Sequence, residues 1–121
     1  MLDPFETTAK AIADPSRTRI VKLLEQGELC VCQITTILDL AAATISKHLS
    51  LLKMAGLVQQ RRDGKWVYYR LADGGENPYA LPFLALLKNA LNDDPTILAD
   101  LNGLGRIRAI PLNDLCTPER R

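Results

Sequence analysis

The sequence predicts a mainly helical fold with one small β-hairpin, in the winged helix-turn-helix order of four helices, two strands and a further helix. Three observations predict it. Apolar residues recur at helical spacing in successive segments before Gly56, and the third and fourth of these segments are separated only by Asp39-Leu40-Ala41. Directly after Gly56 the pattern changes to two short strand-like runs around Asp63-Gly64.

Each element has a local reason. Phe5 to Ala13 forms a short helix, and Asp14-Pro15 then reads as an N-cap followed by proline at the first helical position. The second helix carries Ile20, Val21, Leu23 and Leu24 and stops at Gly27. A third, short helix begins near Cys30 to Cys32 and carries Ile34, Ile37 and Leu38. The fourth runs from Ala42 to Ala55, with Ile45, Leu49 and Leu52 inward and Gly56 as its stop. Leu57 to Arg62 and Lys65 to Leu71 are the strands, the second rich in aromatic and β-branched residues, with Arg61, Arg62 and Lys65 expected at the tip of the wing.

Beyond the loop Gly74 to Pro78, the segment Tyr79 to Asn92 reads as a helix with apolar residues on nearly every side. One face is expected on its own domain and another on a second copy, and Pro82 falls in the first turn, where it is tolerated. A winged core of about 60 residues is marginal alone, and a dimer offsets its shortage of buried area. Residues 1–92 are therefore read as the winged helix and dimerisation domain. Residues 93–121 are read as a C-terminal extension, with a short helix over Pro95 to Asn102 and a tail punctuated by Gly103, Gly105, Pro111 and Pro118.

Charge distribution says more than net charge. The 121 residues carry a formal net charge of +1, yet residues 44 to 70 hold Lys47, Lys53, Arg61, Arg62, Lys65 and Arg70 against Asp63 alone, so the remainder is net −4. A positive segment on an otherwise acidic chain is the footprint of a module that docks phosphates with one face. At the exposed start of the fourth helix, Ala42, Ala43 and Thr44 suit close approach to base edges, and Ser46, Lys47 and His48 reach phosphate or base. The competing reading of His48 is a packing or capping histidine, and Lys53 reads as a solvated lysine. Arg61, Arg62 and Lys65 supply affinity independent of sequence.

No apolar run reaches the roughly 18 to 20 residues needed to span a bilayer, and Met1 to Glu6 lacks the pattern of a signal peptide. A cytoplasmic protein with no membrane partner is expected. In a reducing compartment, Cys30 and Cys32, too close for an ordinary structural bridge, point to metal binding or thiol reactivity. The bland alternative is two small buried apolar residues.

The ordered set Glu28-Leu29-Cys30-Val31-Cys32, Thr44-Ile45-Ser46-Lys47-His48-Leu49, Leu52, Ala55-Gly56-Leu57-Val58 and Arg62-Asp63-Gly64-Lys65-Trp66-Val67-Tyr68-Tyr69-Arg70-Leu71 resembles the ArsR/SmtB family of metal-responsive repressors. The resemblance covers residues 4 to about 92. It implies a homodimeric, non-enzymatic repressor, paired through its N-terminal helix and helix 79–92, that binds double-stranded operator DNA without a cofactor until a metal or metalloid releases it. The cysteine pair is similar to that of the arsenite and antimonite branch, and also of the cadmium and lead branch. In the former a third cysteine lies three positions on, where this chain has Thr35, and the residue after the pair is often aspartate, where this chain has Gln33. Ala41 stands where serine is often the cap of the recognition helix. Cys116 is the remaining thiol, either the third ligand or a bystander.

Soft thiolates select soft acceptors. Zinc wants four ligands, and His48, the single histidine, lies in the recognition helix, which excludes a histidine-based zinc site on the last helix. Trivalent arsenic or antimony needs three thiolates, or two and a small ligand, which suits Cys30, Cys32 and Cys116. Within a regular α-helix, residues i and i+2 lie about 200° apart, so two cysteines at that spacing grip one atom only if the start of the third helix is unwound. Three rivals stand beside this reading, one of them a winged helix that binds protein and ignores DNA. A thiol oxidoreductase lacks both the βαβ pattern and the two-residue spacing of the redox motif, and a thiol sensor of oxidant or persulfide keeps the DNA module but changes the signal.

Overall fold

Asp14, in an extended conformation, accepts a hydrogen bond from the Arg17 backbone N–H at 3.0 Å and separates two helices, α1 (Leu2–Ile12) and α2 (Pro15–Leu24). In this computed structural model, which describes residues 2–116, a short strand β1 (Leu29–Cys30) follows and leads without a break into α3 (Val31–Leu38). Asp39, left-handed at φ 55°, turns the chain into α4 (Ala42–Met54). The wing is β2 (Val58–Asp63) and β3 (Trp66–Leu71), closed by Gly64 at φ 60° and Lys65.

Two elements differ from the sequence expectation. β1 was not expected: it pairs antiparallel with β3, Leu29 opposite Tyr69 and Cys30 opposite Tyr68, and makes a three-stranded sheet in the order β1-β3-β2. Two residues are too few for an alternating pattern to show, so only the pairing reveals the strand. The expected chain order of four helices and two strands is therefore interrupted after α2.

The second difference is at the C-terminus. After α5 (Ala80–Lys88), shorter than the expected Tyr79 to Asn92, α6 runs from Pro95 to Arg108 and α7 from Leu112 to Leu115. The short helix expected to end at Asn102 continues through Gly103 and Gly105 because packing outweighs the roughly 1 kcal/mol each glycine costs in a helix. Asp94 caps it, accepting from the backbone of Thr96 and Ile97, with Pro95 at the first position. The expected boundary at residue 92 is not a break in packing: α6 lies on α3 and α2, and Leu104 is part of the common core. The expected tail around Pro118 lies outside the described residues.

The core is built from Ile20, Val21 and Leu23 of α2, Ile34 of α3, Ile45, Leu49 and Leu52 of α4, and Leu57, all without solvent exposure. This is the inward stripe that helical spacing predicts, and it fixes α4 against α2 and α3 with its opposite face outward. Lys22 is buried with it, donating to the Leu87 carbonyl at 2.7 Å and the Asn92 side chain at 2.9 Å and pairing with Glu25 at 2.9 Å, so the end of α5 is tied to α2. Among the described residues no helix is long and apolar enough to cross a membrane.

Candidate thiol site and nucleic-acid interface

The thiol site begins with the junction of β1 and α3. Cys30 is the N-cap of α3, extended at φ −75° and ψ 148°, and its backbone N–H donates to the Gln33 side-chain oxygen at 2.8 Å. A glutamine at the third helical position reaching back to the cap is half of a capping box. That contact accounts for Gln33, which by sequence is only a departure from the family pattern. Cys32 is the second residue of α3, half-buried, two positions after the cap.

Because Cys30 lies outside the helix, the 200° separation of an intrahelical pair does not apply. Cys30, Cys32 and Cys116 bring their sulfurs within 4.8 Å of one another while α3 is fully formed. The expected unwinding of α3 is thus unnecessary for two cysteines to face one centre, and the reason is the strand β1, which spacing alone does not reveal.

Cys116, buried just after α7, closes the group. Its sulfur is joined to that of Cys32 in a disulfide across 84 residues of chain, and Cys30 is a free, buried thiol. Thr35, where the resemblance expects a third cysteine, instead donates its hydroxyl to the Val31 carbonyl at 2.9 Å. A cavity of about 320 Å³ opens beside Cys30 and Cys32 and is walled by Ser46 of α4 and by Lys65, Trp66 and Tyr69 of the wing. The thiols and the two elements expected to touch DNA therefore share one cleft.

The start of α4 faces outward. Ala43, Thr44, Ser46 and Lys47 are exposed, and Ala42 is half-buried at the first position of α4. Ala41 offers no side-chain cap there. His48 is half-buried, and its Nδ1 lies 3.2 Å from Nη1 of Arg17, whose Nε donates to the Ala11 carbonyl at 2.7 Å. One ring nitrogen of His48 is thus used in packing α4 against α2, the reading that competes with DNA contact.

Arg62 and Lys65 are exposed on the wing, Lys65 with its ammonium 4.7 Å from the centre of the Trp66 ring. Arg61 is held elsewhere, against Glu28 and over the Tyr68 ring at 4.4 Å. The hydrogen bonds from Arg61 hold the Glu28 carboxyl below its usual range, opposing a smaller upward effect of burial. The pairings of Glu28 and Arg17 are not legible in the sequence, because their partners lie 33 and 31 residues away.

Residues 14–60 match the family described as bacterial regulatory protein, arsR family. The arsenical resistance operon repressor of Escherichia coli K12 is 53% identical over 64 residues, covering 52% of this chain and 55% of that protein. The cadmium resistance regulatory protein CadC homolog of Staphylococcus aureus is 46% identical over 65 residues, covering 53% and 54%. The chain spans about half the length of these relatives. A homodimeric winged helix-turn-helix DNA-binding domain from Mycobacterium bovis, described as a possible ArsR-family transcriptional regulator, superposes with a TM-score of 0.63 at 37% identity, over 76% of this chain and 82% of that one. The winged helix, the thiol pair at the start of α3 and these matches together show that the chain belongs to the ArsR family of bacterial regulatory proteins.

Proposed function

We propose that this chain is a homodimeric transcriptional repressor that holds its operator with α4 and the wing, and releases it when arsenite or antimonite binds Cys30, Cys32 and Cys116. The observation that carries the reading is the convergence of three sulfurs within 4.8 Å at the start of α3, the helix that leads through Asp39 into α4. Arsenous acid and three thiols give three As–S bonds and three waters, so a trigonal centre is satisfied by this set alone. Among the described residues no histidine or carboxylate joins the cluster, whereas a zinc site normally has four ligands. The E. coli relative is an arsenical resistance operon repressor; the S. aureus relative, a cadmium resistance regulator, makes cadmium the competing inducer.

Release follows from linkage. The three sulfurs belong to the strand paired with the wing, to α3, and to the C-terminal arm. A ligand that draws them to one centre favours one relative placement of wing, α3 and arm, and the cleft beside it is walled by α4 and the wing. If the operator prefers another placement, ligand and DNA lower each other's affinity by the same factor.

Two exposed apolar faces support the dimer. Leu2 and Phe5 of α1 and Leu81 and Leu86 of α5 are exposed, Leu86 by 64%, a cost to a lone protomer that a second copy removes. The M. bovis domain is homodimeric.

The test is operator release by arsenite, antimonite, cadmium, lead and zinc for the wild type, Cys30→Ser, Cys32→Ser and Cys116→Ser, in reductant. Release by the two metalloids, lost in the first two variants and weakened in the third, is expected. Release by cadmium or lead alone, or metalloid release indifferent to all three cysteines, overturns the reading.

A second reading has its own observation, the Cys32–Cys116 disulfide. A peroxide that takes two electrons and two protons from these thiols forms water and the disulfide, and DNA release by peroxide alone would make oxidation the signal.

A further inference from the structure

We propose that residues 94–116 act as a latch, and that Arg19 and Asp100 are the positioning pair that seats Cys116 beside Cys32; the selection of ligands that follows rests on the metalloid reading above. Cys116 lies 84 residues along the chain from Cys32, and it reaches α3 only because α6 and α7 pack there. What brings it there is the docking of α6. Asp100, 6% exposed, sits in the middle of α6 and receives two hydrogen bonds from Arg19 of α2, Nε to Oδ2 at 2.8 Å and Nη2 to Oδ1 at 2.9 Å. A two-pronged guanidinium–carboxylate pair fixes direction as well as distance.

A second polar contact lies at the end of the same helix. Arg108 donates to the Gln26 carbonyl at 2.8 Å, three residues before β1, which carries Cys30, begins at Leu29. Ile97, Leu104 and Leu115 bury the apolar side of the arm between and beyond these contacts. Undocked, Cys116 would reach Cys32 only as the end of a tether of more than twenty residues, at an effective concentration of about millimolar or below. Docked, its sulfur is already in place.

The consequence is selectivity. Arsenous acid uses three thiols, whereas phenylarsine oxide forms two As–S bonds and one water and is satisfied by Cys30 and Cys32. Seating Cys116 strengthens the first and leaves the second nearly unchanged. The pair also raises the equilibrium constant for the exchange in which two protein thiols and oxidised glutathione give the Cys32–Cys116 disulfide and two reduced glutathiones.

Arg19→Met tests this, because it strands the Asp100 carboxylate in a buried site and should undock the arm. Arg19→Met/Asp100→Leu removes both charges, keeps the apolar seat and is the rescue. Arg108→Gln is the milder variant should Arg19→Met not fold, as judged by operator binding in the absence of any arsenical. The expected result for Arg19→Met is a drop of at least about tenfold in both the glutathione equilibrium constant and the arsenite affinity, with phenylarsine oxide affinity within about twofold. The double variant should recover most of both. An unchanged glutathione equilibrium in Arg19→Met and Arg108→Gln overturns the latch, whatever arsenite does. A shifted equilibrium, in a protein whose arsenite affinity is the same for the wild type and Cys116→Ser, upholds the positioning and overturns the three-thiol reading.

Discussion

Arg61 donates from Nε to both carboxylate oxygens of Glu28, at 2.9 and 2.8 Å, and from Nη2 to Oε1 at 2.6 Å, so a wing arginine is committed to the protein's own surface. The pair ties the wing to the residue just before β1, two positions from Cys30. Three adjacent or nearly adjacent cations in the sequence, Arg61, Arg62 and Lys65, therefore stand in different situations. Arg62 is exposed, Lys65 is exposed with its ammonium over the Trp66 ring, and Arg61 is paired with Glu28 and stacked on Tyr68.

Glu28→Gln releases that arginine. Non-specific DNA affinity should rise, and the slope of log affinity against log salt should steepen by about one unit per subunit as Arg61 gains a phosphate. Titration of binding between low and moderate salt reads this directly. The pH dependence has a defined sign: a carboxyl held below its usual value stabilises the fold above the unfolded carboxyl range, and that contribution disappears as pH falls through the depressed value. The difference in denaturation midpoint between wild type and Glu28→Gln should thus shrink between pH 7 and strongly acidic solution.

Arg62→Ala should do the reverse. Binding weakens on every sequence alike, and the salt slope becomes shallower by about one unit on each subunit for every phosphate that Arg62 no longer neutralises. A gel-shift series on operator and unrelated DNA measures both, and an unchanged slope would remove Arg62 from the interface.

Hydrogen exchange in α3 should stay protected on both sides of arsenite binding. Cys30 in the strand and Cys32 at the second helical position already face one centre, so no turn of α3 has to open. Faster exchange over residues 31–38 on adding arsenite would restore unwinding as the route.

Thr35→Cys in a Cys116→Ser background places a thiol three residues after Cys32, on the same side of the helix. It gives up only the hydroxyl bond to Val31. Arsenite-driven release, weakened by Cys116→Ser, should return to within about tenfold of wild type, since one As–S bond has been replaced by another; fluorescence anisotropy on labelled operator provides the comparison.

Leu86→Glu should leave a folded monomer. The side chain is 64% exposed on α5, so the change costs the isolated protomer little while placing a charge in the proposed α1 and α5 contact. Sedimentation equilibrium reports the mass, and operator affinity should drop once half-sites are no longer bound in pairs.

Much of the molecule is written in local pattern. The stripe Ile45, Leu49 and Leu52, the cap at Asp14-Pro15, the stop at Gly56 with φ 74° and the turn at Gly64 each depend on neighbours within a few residues, and each appears where spacing places it. Helix ends read less well, as the shorter α5 and longer α6 show, because fraying and continuation are settled by packing against other elements.

Local pattern is enough to read the helix-turn-helix and its wing, the outward start of α4, and two cysteines beside it, though not the strand β1. Where their sulfurs lie relative to one another and to Cys116 depends on long-range packing. Pairing with β3 made Cys30 a strand residue, so that Cys30 and Cys32 face one centre, and docking of α6 through Asp100 carried Cys116 across 84 residues to join them. Helical and strand periodicity is a property of adjacent residues. A three-sulfur cluster and an arginine neutralised by Glu28 depend on which distant segments lie side by side, and that is fixed by burial and pairing over the whole chain.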